Sequence, residues 1–383
     1  MSSFLIIYLF VAVAFSLAIN YLLMKFSFNL GSRHNFTFKQ VRWSSHIKPS
    51  VGGISFFILF ILSWGIYGLL SRENTNVPDI QIIGIVAACS IGFFAGLYDD
   101  AFNTNPLIKF LLQLSCGVIL IVCGIKINIS NTEVINIFLT LMWVVGLMNS
   151  INMLDNMDGV TGSVTTLIIA GLIAVLAISG HKASDFYMLV LLGVMGGLIG
   201  FLRFNWSPSK IFMGDTGSQF LGIFLAAASI QIFWQYNEGN QGLFQVKPFV
   251  LPALFFIVPI IDTATVTLRR LMRGQSPFVG GKDHITHHLA YLGLKEKQIV
   301  FILAATTLFS FPVALLLLKK ILIWNFYFSF GILAYVLVLF MVFQFFYKKG
   351  EMKHQKMLEE SRPIPKITKE SLAAFTEKLQ AKN

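Results

Sequence analysis

Carboxylate and amide side chains are concentrated in three short motifs of this sequence. The motifs are GLYDD, NSINMLDNMDG and FMGDTGS, which contain Asp99, Asp100, Asn152, Asp155, Asp158 and Asp215. Asn152, Asp155 and Asp158 follow one another at intervals of three residues, so on a helix they would share a face. Hard oxygen ligands select Mg²⁺ or Mn²⁺, which usually bind through one or two carboxylates together with substrate phosphates. The motifs therefore predict a divalent cation beside a phosphate-bearing substrate.

Histidines and basic residues could complete such a site. His284, His287 and His288 stand close together in GGKDHITHH, where imidazoles could donate hydrogen bonds to phosphate or carry charge beside it. Further phosphate oxygens could be held by basic residues, namely Lys48, Lys109, Arg269, Arg270 and Lys282. Because a divalent cation neutralises the charge that develops when a phosphoryl group is transferred, the whole set indicates a phosphotransferase with a nucleotide-linked donor and a lipid acceptor.

Each motif also has a purely structural interpretation. Two adjacent aspartates at a helix end could simply be solvated, and the run from 152 to 158 could cap a helix. Asp215 resembles an ordinary helix start, where an acidic residue favours the positive end of the helix dipole. Asp262, inside an apolar run, is either paired with a neighbour or functional. These alternatives stay open for the single motifs.

Other enzyme classes find less support. The sequence contains no G-x-S-x-G elbow, and the HxxHH spacing lacks the glutamate of an H-E-x-x-H zinc protease. Cys89, Cys116 and Cys123 all lie inside apolar runs, where cysteine usually serves as a small core residue. They predict neither a disulfide nor a metal site.

The elements that must position these residues are membrane helices. The 383 residues are 56% hydrophobic and 12% charged, about half the charge of a soluble domain. Apolar runs close to the ~20 residues that cross a bilayer recur along the chain. The sequence thus predicts an all-α polytopic membrane protein with about eleven transmembrane helices, at residues 4–24, 52–71, 81–98, 107–124, 134–152, 160–179, 186–204, 212–233, 249–270, 299–318 and 321–346. Residues 1–347 would form the transmembrane transferase domain and 348–383 a polar cytoplasmic tail, for which a short helix after Thr368 is an option.

The distribution of positive charge predicts the orientation. A net charge of +11 could suggest nucleic acid, but most of the 29 lysines and arginines fall in the tail and in alternate loops, as on the cytoplasmic side of membrane proteins. The exceptions are Arg72, Lys126, Lys182, Lys247, Lys319 and Lys320. We therefore expect the N-terminus outside, the C-terminus in the cytoplasm and no nucleic-acid partner. In this topology every polar motif reaches the cytoplasmic face, including Asn205 at the end of the seventh helix.

The motifs together resemble the polyprenyl-phosphate N-acetylhexosamine-1-phosphate transferases. The resemblance runs from about Ser44 to Gly293 through SSHIKPSVGGIS, GLYDD, NSINMLDNMDG, FNWSPSKIFMGDTGS and the stretch from PIIDTATVTLRRLMRGQSPF to HITHHL. It implies transfer of a sugar 1-phosphate from a UDP-sugar to undecaprenyl phosphate, with Mg²⁺, on the cytoplasmic face of the bacterial inner membrane. The lipid-linked product would start peptidoglycan, O-antigen, teichoic acid or capsule synthesis.

The resemblance also implies roles for individual residues. Asp215 would be the principal Mg²⁺ ligand, with Asp155 as a second metal ligand. Asp99, Asp100 and Asp158 would be catalytic, the first two beside the reacting phosphates. Together with the charge and topology arguments above, the resemblance gives a predicted substrate-binding set of Lys48, Lys109, Asn152, Asp155, Asn205, Arg269, Arg270, His284, His287 and His288.

Two sequence details favour the N-acetylglucosamine-1-phosphate branch over the phospho-N-acetylmuramoyl-pentapeptide transferases. The chain has KPSVGG and HITHHLAYLG where the pentapeptide transferases carry other motifs, and its run from Asp262 to Phe278 matches the N-acetylglucosamine branch. Asn156 stands where the family generally has glycine, so the identity of the N-acetylhexosamine stays open. A homodimer is one assembly that we consider. An ion-coupled transporter and an inactive envelope scaffold are the alternatives from other classes.

Overall fold

The protein is an assembly of helices in the ranges that the structure describes. The computed structural model describes residues 2–29, 48–70, 79–179, 184–234, 247–276, 281–318 and 326–360, and no named strand occurs in them. The helices are α1 (Ser2–Asn29), α2 (Gly52–Leu70), α3 (Asp79–Phe102), α4 (Pro106–Val122), α5 (Glu133–Leu154), α6 (Val160–Ser179), α7 (Ser184–Asn205), α8 (Gly214–Ser229), α9 (Val250–Phe255), α10 (Ile257–Met272), α11 (Ile285–Tyr291), α12 (Glu296–Leu308), α13 (Ser310–Leu318) and α14 (Phe326–Glu360). The all-α prediction is confirmed.

Most predicted spans have a matching helix. Within the described ranges, nine helical stretches are long and apolar enough to cross a membrane. The other two predicted spans correspond to α4, which has 17 residues, and to the pair α9 and α10. The chain is therefore a polytopic membrane protein, while the exact number of crossings and the orientation stay predictions.

Two predicted helices are broken at phenylalanines. The span predicted at 249–270 divides at Phe256 into α9 and α10, and the span at 299–318 divides at Phe309 into α12 and α13. Pro259 and Pro312 lie in the first turns of α10 and α13. Proline has no backbone N–H, and the first turn of a helix is where that group has no intrahelical acceptor. The prolines thus favour a new helix start at each place.

Helix α8 lies at the centre of the bundle, and close packing brings it against α2 and α3. A Cβ atom added to Gly96 of α3 would lie 2.2 Å from the carbonyl oxygen of Asp215, and one added to Gly53 of α2 would lie 2.3 Å from the backbone of Gly217. Only glycine permits such an approach. The packing therefore brings the end of α3, with its two aspartates, to the start of α8.

The segment before α2 is attached to the segment before α8. The backbone N–H of Phe212 donates to the carbonyl of Pro49 over 2.9 Å, and that of Gly52 donates to the carbonyl of Phe212 over 3.1 Å. Ser50 and Phe212 form an isolated parallel bridge. These bonds bring Lys48 to the end of the bundle where α8 begins.

The last helix continues beyond its apolar run. The polar tail was predicted to begin at Lys348, but α14 extends to Glu360. The extension packs on α11, where a Cβ added to Gly350 would lie 2.3 Å from the carbonyl oxygen of His288. Residues 348–360 are thus helical and their first turns are docked, because this end of α14 has a partner in α11. The rest of the tail, with the helix considered after Thr368, lies outside the described residues.

Candidate active site

The ammonium group of Lys109 lies between carboxylates from two other helices. Its Nζ atom is 2.8 Å from Oδ2 of Asp99 at the end of α3 and 3.0 Å from Oδ2 of Asp215 in the first turn of α8. Oδ1 of Asp215 accepts a hydrogen bond of 2.7 Å from Nδ2 of Asn152, and Oδ1 of Asp99 accepts one of 2.8 Å from the backbone of Thr104. Side chains from the ends of four helices therefore converge on one position for a cation.

Two carboxylates at this position could hold a divalent ion together with substrate phosphates. In the described part of the chain, no group of three or more His, Cys, Asp or Glu is arranged to hold a metal ion. Asp99 and Asp215 nevertheless direct hard oxygen ligands at one point, which the Lys109 ammonium occupies. Mg²⁺ commonly binds one or two carboxylates and takes its other ligands from substrate phosphates and water. Asp155, the second predicted metal ligand, ends α5 and is partly buried, and its role stays a prediction.

Asp100 caps the helix that carries Asp215. Its carboxylate accepts hydrogen bonds from the backbone N–H groups of Asp215 (3.0 Å) and Thr216 (2.9 Å) and from the Thr216 hydroxyl (2.7 Å). Gly214 adopts a φ of +76°, and a Cβ atom there would lie 2.6 Å from Oδ2 of Asp100. Asp100, predicted to be catalytic, therefore has a clear positioning role, because both oxygens hold the start of α8.

Asp158 forms a second ion pair near the first. Nζ of Lys48 lies 3.3 Å from Oδ2 of Asp158 and 2.9 Å from Oγ of Ser209. The backbone N–H of Ser209 donates to the same Asp158 oxygen over 2.9 Å. Both charged side chains are largely buried. The pair joins the segment before α2 to the loop after α5, and Ser209 adds the segment before α8. Because α5 ends at Leu154, Asp155 and Asp158 lie outside the helix, so the helical face expected to join them to Asn152 does not form.

Asn205 holds two loops together. Its Oδ1 atom accepts from the backbone N–H of Gly159, and its Nδ2 group donates to the carbonyl of Ile211, both over 2.9 Å. The side chain is buried. Asn205 was predicted to bind substrate, but both ends of its amide are used inside the protein, which favours a positioning role.

Asn156, just after α5, reaches the histidine segment. Its Nδ2 group donates to the carbonyl of Met153 over 2.8 Å, and its Oδ1 atom accepts from the Thr286 hydroxyl over 2.6 Å. Thr286 is fully buried in α11. The residue that departs from the family pattern thus connects the carboxylate loop, which we define as residues 155–159, to the histidine helix α11.

The three histidines are buried, and the two within α11 favour the neutral form. Nδ1 of His284 lies 2.8 Å from Oδ2 of Asp262, so Asp262 is paired, one of the two alternatives left open by the sequence. Burial lowers the pKa of His287 to about 3, helped by the neighbouring His284. Burial and the nearby charge of Arg269 lower the pKa of His288 to about 4. Of the two predicted roles, hydrogen bonding therefore fits His287 and His288 better than positive charge at neutral pH.

The two arginines at the end of α10 already interact with protein groups. Nε and Nη2 of Arg270 donate to the two oxygens of Asp283 over 2.7 and 2.6 Å. Burial acts to raise the pKa of Asp283, but these bonds and the Arg270 charge hold it below its ordinary value. Arg269 donates to Gln344 over 3.1 Å and lies 3.9 Å above the ring of Tyr347. Both arginines thus brace α10 against neighbouring segments, and phosphate binding by them stays a prediction.

Sequence reasoning missed several residues that support the site. They are Thr104, Ser209, Asp283, Thr286, Tyr347 and Glu351. Asp283 directly precedes the histidines, so its position was a usable signal for an arginine partner. Tyr347 and Glu351 gave none, because they lie where the apolar run of the last helix ends.

Comparison with known proteins agrees with this geometry. Residues 82–233 match the glycosyl transferase family 4. A probable undecaprenyl-phosphate N-acetylglucosaminyl 1-phosphate transferase of Bacillus subtilis (strain 168) is 30% identical over 307 residues, which are 77% of this chain and 79% of the relative. The undecaprenyl-phosphate alpha-N-acetylglucosaminyl 1-phosphate transferase of Escherichia coli (strain K12) is 26% identical over 282 residues, 69% of this chain and 72% of the relative. A phospho-N-acetylmuramoyl-pentapeptide-transferase of Prochlorococcus marinus is 28% identical over 275 residues, 66% of this chain and 72% of the relative.

The fold and the site define a membrane-embedded transferase whose polar groups gather where several helices end. Within that class, the chain belongs to the polyprenyl-phosphate N-acetylhexosamine-1-phosphate transferase family. The resemblance inferred from the motifs is confirmed.

Proposed function

We propose that this protein transfers N-acetylglucosamine 1-phosphate, or a related N-acetylhexosamine 1-phosphate, from a UDP-sugar to undecaprenyl phosphate and releases UMP. The reaction would be the first membrane step of a cell-envelope polysaccharide. The observation that carries the proposal is the convergence of Asp99, Lys109 and Asp215 at the ends of apolar helices. A lipid phosphate and a water-soluble nucleotide can meet only at such an interface.

The charge of the acceptor favours direct displacement. The second pKa of a phosphate monoester is about 6, so the lipid phosphate is mostly a dianion at neutral pH. One of its oxygens attacks the β-phosphorus of the UDP-sugar, the bond from that phosphorus to the bridging oxygen breaks, and UMP leaves with that oxygen. The product is the lipid-diphosphate sugar.

The protein's own groups position the reactants in this scheme. When bound, Mg²⁺ would neutralise charge on the diphosphate between Asp99 and Asp215. Lys109 supplies a positive charge at the same point, and the hydrogen bond from Asn152 holds Asp215 in orientation. Asp99 already accepts bonds from Thr104 and Lys109, which suits a residue that places the acceptor phosphate. A covalent intermediate on Asp99 is the rival scheme.

The function is tested with the purified full-length protein, undecaprenyl phosphate, Mg²⁺ and a panel of UDP-sugars, with UMP release as the readout. We expect activity with UDP-N-acetylglucosamine or a related donor, and loss of activity with EDTA that Mg²⁺ restores. Activity only with the muramoyl-pentapeptide donor would refute the assignment to the N-acetylglucosamine-1-phosphate branch, and no activity with any donor would refute the proposal.

Asp99→Asn should reduce turnover by about 100-fold or more while donor binding stays measurable. Asp185→Asn, at the far end of α7, is the matched control. A sugar-phosphate adduct trapped on Asp99 would overturn direct displacement.

We further propose that the protein lies in the bacterial inner membrane and that its site is on the cytoplasmic face. The proposal is supported by the lysines and arginines that cluster in the loops on the side of the site. A protease should remove a C-terminal tag from inverted membrane vesicles and leave it intact in right-side-out spheroplasts. The opposite result would place the site outside.

A further inference from the structure

A hydrogen bond between Asn156 and Thr286 connects residues that lie 130 positions apart in the chain. Asn156 belongs to the carboxylate loop, and Thr286 lies in the first turn of the histidine helix α11. The Oγ1 to Oδ1 distance is 2.6 Å. The Thr286 side chain is 1% exposed, so water does not compete strongly for its hydroxyl.

The two ends of this bond are held by other parts of the site. On the side of Asn156, Asn152 in the last turn of α5 donates to Asp215 over 2.7 Å, and the Asn156 amide itself donates to the carbonyl of Met153. On the side of Thr286, the carboxylate of Asp262 binds His284 and the backbone N–H of Ile285. The bond therefore links the end of α5, which is attached to Asp215, to α11, which is attached to Asp262.

Two further contacts attach α11 to other helices. Asp262 attaches its start to α10, and Gly350 packs against its end from α14. The Asn156 side chain adds a direct bond from the carboxylate loop to the helix that carries His287 and His288. Glycine at position 156 would have no side-chain acceptor for the Thr286 hydroxyl.

We infer that the Asn156–Thr286 pair is a positioning contact that sets the space for the donor sugar. This inference rests on the proposed function and on the expectation from the sequence that Asp155 of the carboxylate loop and the histidines bind the UDP-sugar. With the bond formed, α11 stays close to the loop and the site fits one N-acetylhexosamine best. Without it, α11 moves more freely and donors with other sugar stereochemistry react comparatively better.

The test is a double-mutant cycle on the full-length protein with Asn156→Ala, Thr286→Val and the double variant. Each single change removes one partner of a neutral hydrogen bond, so KM for UDP-N-acetylglucosamine should rise about three- to tenfold. The preference for this donor over its 4-epimer, UDP-N-acetylgalactosamine, should fall by a similar factor. The double variant should match the single ones, because both remove the same contact.

Matched controls separate this role from general destabilisation. Thr286→Ser keeps the hydroxyl and should restore KM and the donor preference. Thr165→Val makes the same exchange at another buried threonine, whose hydroxyl bonds only within α6, and should change neither quantity. Hydrogen exchange of residues 285–291 should accelerate in Asn156→Ala and in Thr286→Val, but not in Thr165→Val.

The outcomes distinguish the inference from the function on which it rests. A wild-type protein that releases UMP, together with variants whose effects multiply or whose donor preference is unchanged, would overturn the inference alone. A wild-type protein inactive with every donor would overturn the proposed function and this inference with it.

Discussion

Nδ1 of His284 lies 2.8 Å from Oδ2 of Asp262, and both side chains are buried. The other Asp262 oxygen accepts the backbone N–H of Ile285 over 2.9 Å. A carboxylate on one ring nitrogen fixes the orientation of the imidazole and leaves the other nitrogen for a second partner. The pair explains why an aspartate stands inside an otherwise apolar run.

Asp262→Ala should lower both stability and activity. The change leaves the His284 ring and the Ile285 N–H buried without their acceptor, at a cost of about 1–3 kcal/mol for each unsatisfied group. We expect a lower melting temperature in detergent and slower UMP release, whereas Asp262→Asn, which keeps an acceptor, should be milder. An Asp262→Ala protein with the wild-type melting temperature would contradict the role.

Asp100→Ala should lower stability, whereas Asp99→Asn should lower turnover. Asp100 accepts three hydrogen bonds at the start of α8, so its removal should cost about 2–3 kcal/mol of unfolding free energy, from a lost helix cap and a lost hydroxyl bond. Asp99→Asn should instead keep the melting temperature and lose turnover. Thermal unfolding and UMP release measured on both variants check the contrast. It fails if Asp100→Ala melts like the wild-type protein.

The first turns of the α14 extension should be needed for activity. Glu351 pairs with Arg269 and Arg273, and the Tyr347 ring lies 3.6 Å from that of His288. A chain ending at Glu360 should keep near wild-type activity, because these contacts remain. A chain ending at Tyr347 should lose most of its activity, and Glu351→Ala should show a partial loss. Full activity of the shorter chain would show that the extension is dispensable.

Stability should fall as pH falls from about 6.5, because of the buried histidines. His288 has a pKa of about 4 in the folded protein and an ordinary value near 6.5 when unfolded. Above pH 6.5 both states are neutral. Below it the unfolded chain takes up the proton first, so this loss of stability continues until about pH 4 and is then constant. His288→Gln should therefore lose less melting temperature between pH 7.5 and 5.5 than the wild-type protein does. Equal losses in both proteins would contradict the assignment.

The sequence allowed much of the site to be predicted, for a physical reason. Carboxylates at the ends of apolar helices are expensive unless they bind something, so Asp99 and Asp215 stood out from their surroundings. Partners such as Thr286 did not, because a buried threonine in a short helix looks like an ordinary core residue. Whether Asn156 and Thr286 meet depends on how α5 packs beside α11, and no local pattern contains that information.

The helix boundaries show the same limit. Hydropathy places the apolar spans well but does not detect the breaks at Phe256 and Phe309, although Pro259 and Pro312 mark them. It also ends the last helix too early. The lysine, glutamate, methionine and glutamine residues after Tyr347 are good helix formers, and they continue α14 as far as Glu360.

The central position of α8 bears on how the protein is assembled in its membrane. The helical stretch from Gly214 to Trp234 consists of α8 and the short π-helix that follows it, and its mean hydropathy of 1.4 is the lowest of the nine stretches in the described ranges. Apart from the partly exposed Asp215, it is buried inside the protein. A segment of this kind gains little free energy from contact with lipid, so its stable position in the membrane depends on neighbouring helices that are already inserted. We therefore expect α8 to reach its final position only when α2, α3 and α5 have packed against it. The site around Asp215 would then form only after the helix bundle has assembled.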